Sequence, residues 1–166
     1  MKVLFSILVL CLSITAVAQR RKPIISAIPA YSADRLLARV ANRDTTYIVN
    51  FWATWCPRCV RELPTFDTLQ KRYAGTAVKV LMVSLDIPSD VKTKLALFAK
   101  SNVSAEVLWL AEKDMETVMP KIDKTWTGML PATLILSGFP RTRVFMPWMV
   151  TAAEVIDKIP VVAAKL

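Results

Sequence analysis

Continuous apolar runs alternate along the chain with longer stretches in which apolar residues recur at helical spacing. The runs at 45–53 and 78–85 are rich in β-branched and aromatic residues, which indicates central strands buried on both faces. A further run at 105–110 predicts a third strand. The helical stretches predict helices that begin after an N-cap at Ser32, at Pro57 (ending near Tyr73) and at Pro88.

The C-terminal third adds an antiparallel element to this alternation. Residues 132–136 and 143–146 flank a Ser-Gly-Phe-Pro segment, which is typical of a β-hairpin with a longer loop. Thr151 and Glu154 form a capping-box pattern that predicts a last helix. Strands separated by helices need parallel crossovers, so the order predicts an α/β fold with a central mixed sheet flanked by helices.

The N-terminus has the features of an export signal. Lys2 precedes an apolar run at 3–12, and Ala16-Val17-Ala18 is a small-residue cleavage site. We therefore predict a signal peptide at 1–18, an N-terminal arm without periodicity at 19–31, a single domain at 32–166 and export from the cytoplasm. The alternative is a membrane anchor over 3–18, although about 24 Å of helix is shorter than a ~30 Å hydrocarbon core. Three basic residues after the apolar run disfavour translocation: Arg20, Arg21 and Lys22.

The histidine, cysteine and charge content of the chain limits the kinds of site that it can form. The chain has no histidine, which excludes histidine triads and histidine metal ligands. Cleavage after Ala18 would remove Cys11 and leave one pair, Cys56 and Cys59, as expected in an oxidising compartment. The formal charge is +9, but beyond residues 20–22 the basic residues are scattered, so we predict no nucleic-acid partner.

The pair occurs as Cys56-Pro57-Arg58-Cys59 between a predicted strand and a predicted helix. Zinc needs about four N or S ligands, so we predict neither a metal nor a cofactor. A purely structural disulfide across so short a loop would stabilise little, and the setting favours a redox dithiol. Cys56 at the helix N-terminus is the predicted nucleophile, its pKa lowered by the helix dipole and by Arg58. Cys59, one turn later, is the predicted resolving cysteine.

Two further residues carry open alternatives. Glu62 falls on the helix face of Cys59 and Phe66. There it is either a buried carboxyl that exchanges protons with the dithiol, or a side chain at the edge of the apolar face that reaches water or pairs with a lysine. Trp126 either belongs to the core or lines a substrate groove.

Two segments resemble the thioredoxin superfamily, and within it the exported TlpA/ResA-like thiol–disulfide oxidoreductases of Gram-negative bacteria. They are 49–64 (VNFWATWCPRCVRELP) and 128–133 (GMLPAT). The resemblance implies that residues 32–166 form a thioredoxin-like domain, with a cis-proline at Pro131 against the cysteine pair. It also implies a proton role for Glu62. Asn50 and Pro57-Arg58 depart from ordinary thioredoxins, which carry Asp and Gly-Pro there. The substrate-binding residues that it implies are Trp55, Pro57, Arg58, Leu130 and Pro131.

Function is therefore predicted as reduction of protein disulfides in the periplasm through Cys56 and Cys59. The expected partners are disulfide-bearing envelope proteins, apocytochrome c among the candidates, and a membrane electron donor; we expect a monomer. Two alternatives stay open. One is a disulfide oxidase or isomerase with the same chemistry, and the other is a redox-inactive thioredoxin-like binding or scaffold protein.

Overall fold

A computed structural model describes residues 27–138 and 140–160, so the predicted signal peptide, Cys11 and most of the predicted arm lie outside the described residues. Within that part the chain forms a six-stranded sheet in the order β1-β4-β3-β2-β5-β6. Strands β1 to β4 run parallel to one another, whereas β5 is antiparallel to β2 and β6 to β5. The predicted fold class, a mixed sheet flanked by helices, is confirmed. The strands are β1 (Ala30–Tyr31), β2 (Thr46–Trp52), β3 (Val78–Ser84), β4 (Glu106–Leu110), β5 (Ala132–Ser137) and β6 (Thr142–Met146).

Helices cover both faces of the sheet. Helices α1 and α5, together with Trp126, enclose one apolar cluster, and α2 and α6 enclose the other, which contains both cysteines. All seven residues of β2 are buried between them, as its continuous apolar run predicted. The helices are α1 (Ala33–Val40), α2 (Pro57–Arg72), α3 (Pro88–Asp90), α4 (Ala96–Asn102), α5 (Met115–Ile122) and α6 (Ala152–Asp157), with a π-helical turn at Val91–Leu95 between α3 and α4.

Local signals place most element ends where the sequence predicted them. The Ser32 hydroxyl accepts from the N–H of Arg35 at 3.2 Å and caps α1. Thr151 and Glu154 form the predicted capping box of α6. Gly75, with a φ of +78°, follows the end of α2 in a conformation that glycine adopts without strain.

The arm predicted at 19–31 differs from the structure at its end, because Ala30–Tyr31 forms an edge strand beside β4. The N–H groups of Trp109 and Ala111 donate to the carbonyls of Pro29 and Tyr31, at 2.9 and 2.8 Å. These partners lie about 80 positions away in the chain, and no periodic pattern in the arm indicates them.

The sheet brings three loops to one end. Ala132 at the start of β5 lies beside Phe51, one residue before the end of β2. Met146 at the end of β6 lies beside Thr133. The segments that follow β2, precede β5 and follow β6 therefore meet at the same sheet end, which is where the cysteine pair lies.

Candidate active site

The cysteine pair begins helix α2. Cys56 is the N-cap residue, and its Sγ accepts from the backbone N–H of Cys59 at 3.2 Å. Pro57 occupies the first helical position, where no backbone donor is needed. The Cys56 N–H donates to the Ala53 carbonyl at 3.2 Å, which closes a tight turn between β2 and α2. The Cys56 sulfur therefore faces the free N–H groups at the positive end of the helix dipole.

Cys56 and Cys59 are joined by a disulfide, with their Cα atoms 5.3 Å apart. Cys56 retains 7% of its surface and Cys59 only 1%. Cys56 is therefore the more accessible of the two cysteines. The nucleophilic and resolving roles of the two residues stay predictions.

The loop before β5 carries the second predicted motif. The Leu130–Pro131 peptide bond is cis, and Leu130 packs against the apolar cluster that contains both cysteines. Trp126 is buried, and its Nε1–H donates to the Met129 carbonyl at 3.0 Å. The ring centroids of Trp126 and Phe51 lie 4.7 Å apart. Trp126 is therefore a core residue that fixes this loop to the core, and it does not line a groove.

Glu62 lies buried on α2, one turn beyond Cys59, with 2% of its surface exposed. Its Oε2 accepts from Asn50 Nδ2 at 3.1 Å, and its Oε1 accepts from the backbone N–H of Val150. Burial raises the pKa of Glu62 from 4.5 to about 7, although both hydrogen bonds favour the carboxylate and oppose the rise. The nearby Glu154 carboxylate raises this pKa further. Of the two alternatives, the structure therefore shows the buried carboxyl.

Asn50 connects Glu62 to the strand that follows the cis-proline. Its Nδ2 also lies 3.1 Å from Thr133 Oγ1 and 3.4 Å from the Ala132 carbonyl, both on β5. An amide donates here without titrating, so the group of this site that titrates near neutrality is Glu62.

Large apolar side chains from the three loops are exposed around the disulfide. Trp55 is 59% exposed and Met129 is 58% exposed. Trp148 and Met149 follow β6 and are 50% and 43% exposed. Such side chains are normally buried, so this end of the sheet presents an apolar surface beside Cys56.

Arg58 adds a charge to this surface. Its side chain is exposed in the first turn of α2 and makes no ion pair with any residue of the described segments. The positive charge is therefore available to a thiolate on Cys56 or to an acidic group on a partner.

Asp86 is a site residue that sequence reasoning missed. It is 3% exposed and follows β3 at the same sheet end as the disulfide. Its carboxylate accepts hydrogen bonds from Thr54, two residues before Cys56, and from Ser84. The available signal was its position, since polar residues just beyond the carboxyl ends of parallel strands often serve sites.

Residues 27–138 and 140–160 contain neither a candidate metal cluster nor a membrane-spanning helix. No group of three or more Cys, Asp or Glu side chains there could hold a metal ion. No helix in that part is long and apolar enough to cross a membrane.

Comparison with known proteins decides the family. The AhpC/TSA family model matches residues 32–137, from the start of α1 to the end of β5 and across both the disulfide and the cis-proline loop. The chain belongs to the AhpC/TSA family. The predicted place in the thioredoxin superfamily is thereby confirmed.

Individual relatives agree with this family. The chain is 30% identical over 63 residues to sporulation thiol-disulfide oxidoreductase A of Bacillus subtilis, a match that spans 38% of each chain. It is 44% identical over 39 residues to thiol-disulfide oxidoreductase ResA of Oceanobacillus iheyensis, or 24% of this chain and 20% of that one. The chain thus matches less than two fifths of the length of either relative.

A solved structure shows the same fold. The thioredoxin-related protein of Neisseria meningitidis serogroup B superposes with a TM-score of 0.59 over 70% of this chain and 84% of that one. The identity of 22% makes this a likeness of fold alone.

Proposed function

We propose that this protein is a periplasmic thiol–disulfide oxidoreductase that reduces protein disulfides. The observation that carries the proposal is the Cys56–Cys59 disulfide at the N-terminus of α2, with the more exposed sulfur held at the helix cap. Membership of the AhpC/TSA family and the similarity to proteins named thiol-disulfide oxidoreductases support it.

In the reduced protein the Cys56 thiolate attacks one sulfur of a substrate disulfide. A mixed disulfide forms, and the other substrate sulfur leaves as a thiolate that takes up a proton. Cys59 then loses its proton and attacks the Cys56 sulfur, which releases the second substrate thiolate. The substrate gains two electrons and two protons, and the protein is left with the Cys56–Cys59 disulfide. A membrane electron donor returns it to the dithiol.

Glu62 is suited to accept the Cys59 proton during the second step. It lies one turn beyond Cys59 on the buried face of α2. Its pKa of about 7 lets it both take up and release a proton near neutral pH. Asn50 and the Val150 N–H donate to its two oxygens and hold the carboxylate form in place.

Substrate binding falls to the surface around Cys56. Trp55, Pro57 and Arg58 border it on one side. Leu130 and Pro131 border it on the other, where the backbone of Leu130 offers hydrogen bonds to an extended segment of the substrate. Disulfide-bearing envelope proteins, apocytochrome c among them, are the substrates that this surface would serve, with the protein acting as a monomer.

The periplasmic location rests on the export pattern at 1–18 and on the single even cysteine pair that cleavage would leave. Membrane anchoring through residues 3–18 is the competing arrangement. Fractionation of cells and the mass of the mature chain distinguish a cleaved, released protein from one that keeps residues 1–18.

Reduction of insulin disulfides by the reduced protein tests the activity. We expect Cys56→Ser to abolish the reaction and Cys59→Ser to trap substrates as mixed disulfides. A Cys56→Ser variant as active as the wild type would refute the enzyme and favour the redox-inactive binding protein.

An oxidase or isomerase is the second candidate, because Cys56 at the helix cap and the positive charge of Arg58 both stabilise the reduced form. The reduction potential separates the two candidates. A reductase should lie nearer about −270 mV and an oxidase nearer about −120 mV. A potential near about −120 mV would overturn the assignment as a reductase.

A further inference from the structure

The turn that presents Cys56 is held by a carboxylate from another strand. Residues 53–56 form this turn, and Thr54 is its second residue, whose N–H finds no acceptor inside the turn. Both carboxylate oxygens of Asp86 lie within reach of that N–H, at 3.2 and 3.1 Å. Asp86 Oδ1 also accepts from the Thr54 hydroxyl at 2.5 Å. Backbone and side chain of one turn residue are thus bound to the same carboxylate.

Asp86 is itself fixed from two sides. The Ser84 hydroxyl donates to Asp86 Oδ2 at 2.7 Å and accepts from the Asp86 N–H at 3.0 Å. The indole Nε1–H of Trp109, on β4, donates to the Asp86 carbonyl at 2.9 Å. Strands β3 and β4 therefore hold the carboxylate rigidly, and through it the turn at the end of β2.

Asp86 also lacks the usual compensation for a buried carboxylate. It is 3% exposed and makes no ion pair within the described residues; its donors are one backbone N–H and two hydroxyls. Burying such a group is costly unless it is fully hydrogen-bonded, and a hydrophobic or amide side chain would avoid that cost. Fixing the turn is a task that explains a carboxylate at this place.

We propose that Asp86 is a positioning residue for Cys56, and that it acts through Thr54 to keep the Cys56 sulfur at the helix cap. In the reduced protein that sulfur needs the Cys59 N–H, 3.2 Å away in the disulfide form, to stabilise its thiolate. A turn released from Asp86 lets Cys56 leave the cap, which lowers the thiolate fraction and misdirects attack. The inference rests on the proposed dithiol exchange.

Alkylation of Cys56 by iodoacetamide, followed from pH 4 to 9 in the full chain carrying Cys11→Ser and Cys59→Ser, measures this positioning directly. We expect Asp86→Asn to slow alkylation at pH 7 by about tenfold, as expected for the loss of a hydrogen bond to a charged group, and to move the midpoint to higher pH. Thr54→Val, which keeps Asp86 and its charge, should slow alkylation by a smaller factor in the same direction. Thr54→Ser should restore the wild-type profile.

Thr46→Val is the matched control. It removes a buried hydroxyl bond at the start of β2, from Thr46 to Ser137 at 2.9 Å, at the opposite sheet end. It should lower stability without moving the alkylation midpoint. This comparison separates a positioning effect from a general loss of stability.

Two results would overturn the proposal. One is an unchanged profile in both Asp86→Asn and Thr54→Val. The other is faster alkylation in Asp86→Asn with no change in Thr54→Val, because Asp86 would then act on the thiolate by charge alone. If Asp86→Asn does not fold, the Thr54→Val and Thr54→Ser pair decides. Insulin reduction by the wild type is measured alongside, so failure of the proposed function is seen separately.

Discussion

The stability of the oxidised protein should depend on pH through Glu62. The pKa of Glu62 is about 7 in the folded protein and 4.5 when the group is unperturbed. Between these values the folded state keeps a proton that the unfolded state has lost, so unfolding releases a proton and rising pH favours it. The stabilisation is complete below pH 4.5 and is lost as the pH rises to about 7.

The magnitude follows from the two pKa values. Since a pKa difference of one corresponds to ~1.4 kcal/mol, Glu62 should lower the free energy of unfolding by about 3 kcal/mol between pH 4 and pH 8. Glu62→Gln removes the titration and leaves a pH-independent offset, because its amide nitrogen meets the Asn50 amide as a second donor. The difference in unfolding free energy between variant and wild type should therefore change by about 3 kcal/mol across this range, in favour of the variant at high pH.

Urea unfolding of the oxidised proteins at pH 4, 5, 6, 7 and 8, followed by tryptophan fluorescence, measures this difference. Keeping the disulfide closed prevents the cysteines from titrating and contributing. Glu116→Gln, at an exposed position in the first turn of α5, serves as the control and should follow the wild type in parallel. Parallel curves for Glu62→Gln and wild type, within about 0.5 kcal/mol, would show that the carboxyl does not titrate as its burial requires.

Two further predictions concern the loop that carries the cis-proline. Gly128 has a φ of +88°, and a Cβ there would lie 2.9 Å from Met119 Sδ, whereas Gly75 has a φ of +78° and open space. Gly128→Ala should therefore cost more unfolding free energy than Gly75→Ala, which should cost about 1 kcal/mol. Met119→Ala should narrow the difference between the two costs. Equal costs for the two glycine variants in urea unfolding would contradict this prediction. Trp126→Phe should cost about 1–2 kcal/mol in the same assay, because it loses the bond to the Met129 carbonyl, and should slow insulin reduction; unaltered reduction would show that this bond does not hold the loop in its active position.

Much of the fold was predictable because its signals are local. The run that became β2 is nearly continuous in apolar residues, and its β-branched and aromatic side chains favour a strand buried on both faces. Ser32 and the Thr151–Glu154 pair act within three residues of themselves, so the sequence shows the caps without knowledge of the fold. The strand–Cys–Pro–helix order likewise placed Cys56 at a helix N-cap.

The rest depends on partners distant in the chain. Glu62 is held by Val150, 88 residues away, so helical periodicity could place it on the apolar face but could not show whether it was satisfied there. Asp86 gained its importance only when β2 and β3 came together and brought Thr54 beside it. The π-helical turn at Val91–Leu95 interrupts a helix whose apolar spacing had predicted no break.

The smallest strand also bears on the behaviour of the protein in concentrated solution. Exposed strand edges invite pairing with other chains, and β4 would offer such an edge without β1. The Arg35 guanidinium lies over the ring of Tyr31 on β1, 4.1 Å from the ring centroid. This contact helps to hold β1 against the edge of β4. β1 does not extend along β4 as far as Glu106, the first residue of β4. Glu106 forms an ion pair with Arg39 at 2.6 Å, and another strand would have to displace this pair. A two-residue strand and one ion pair thus cover the edge that β4 would otherwise present to another chain.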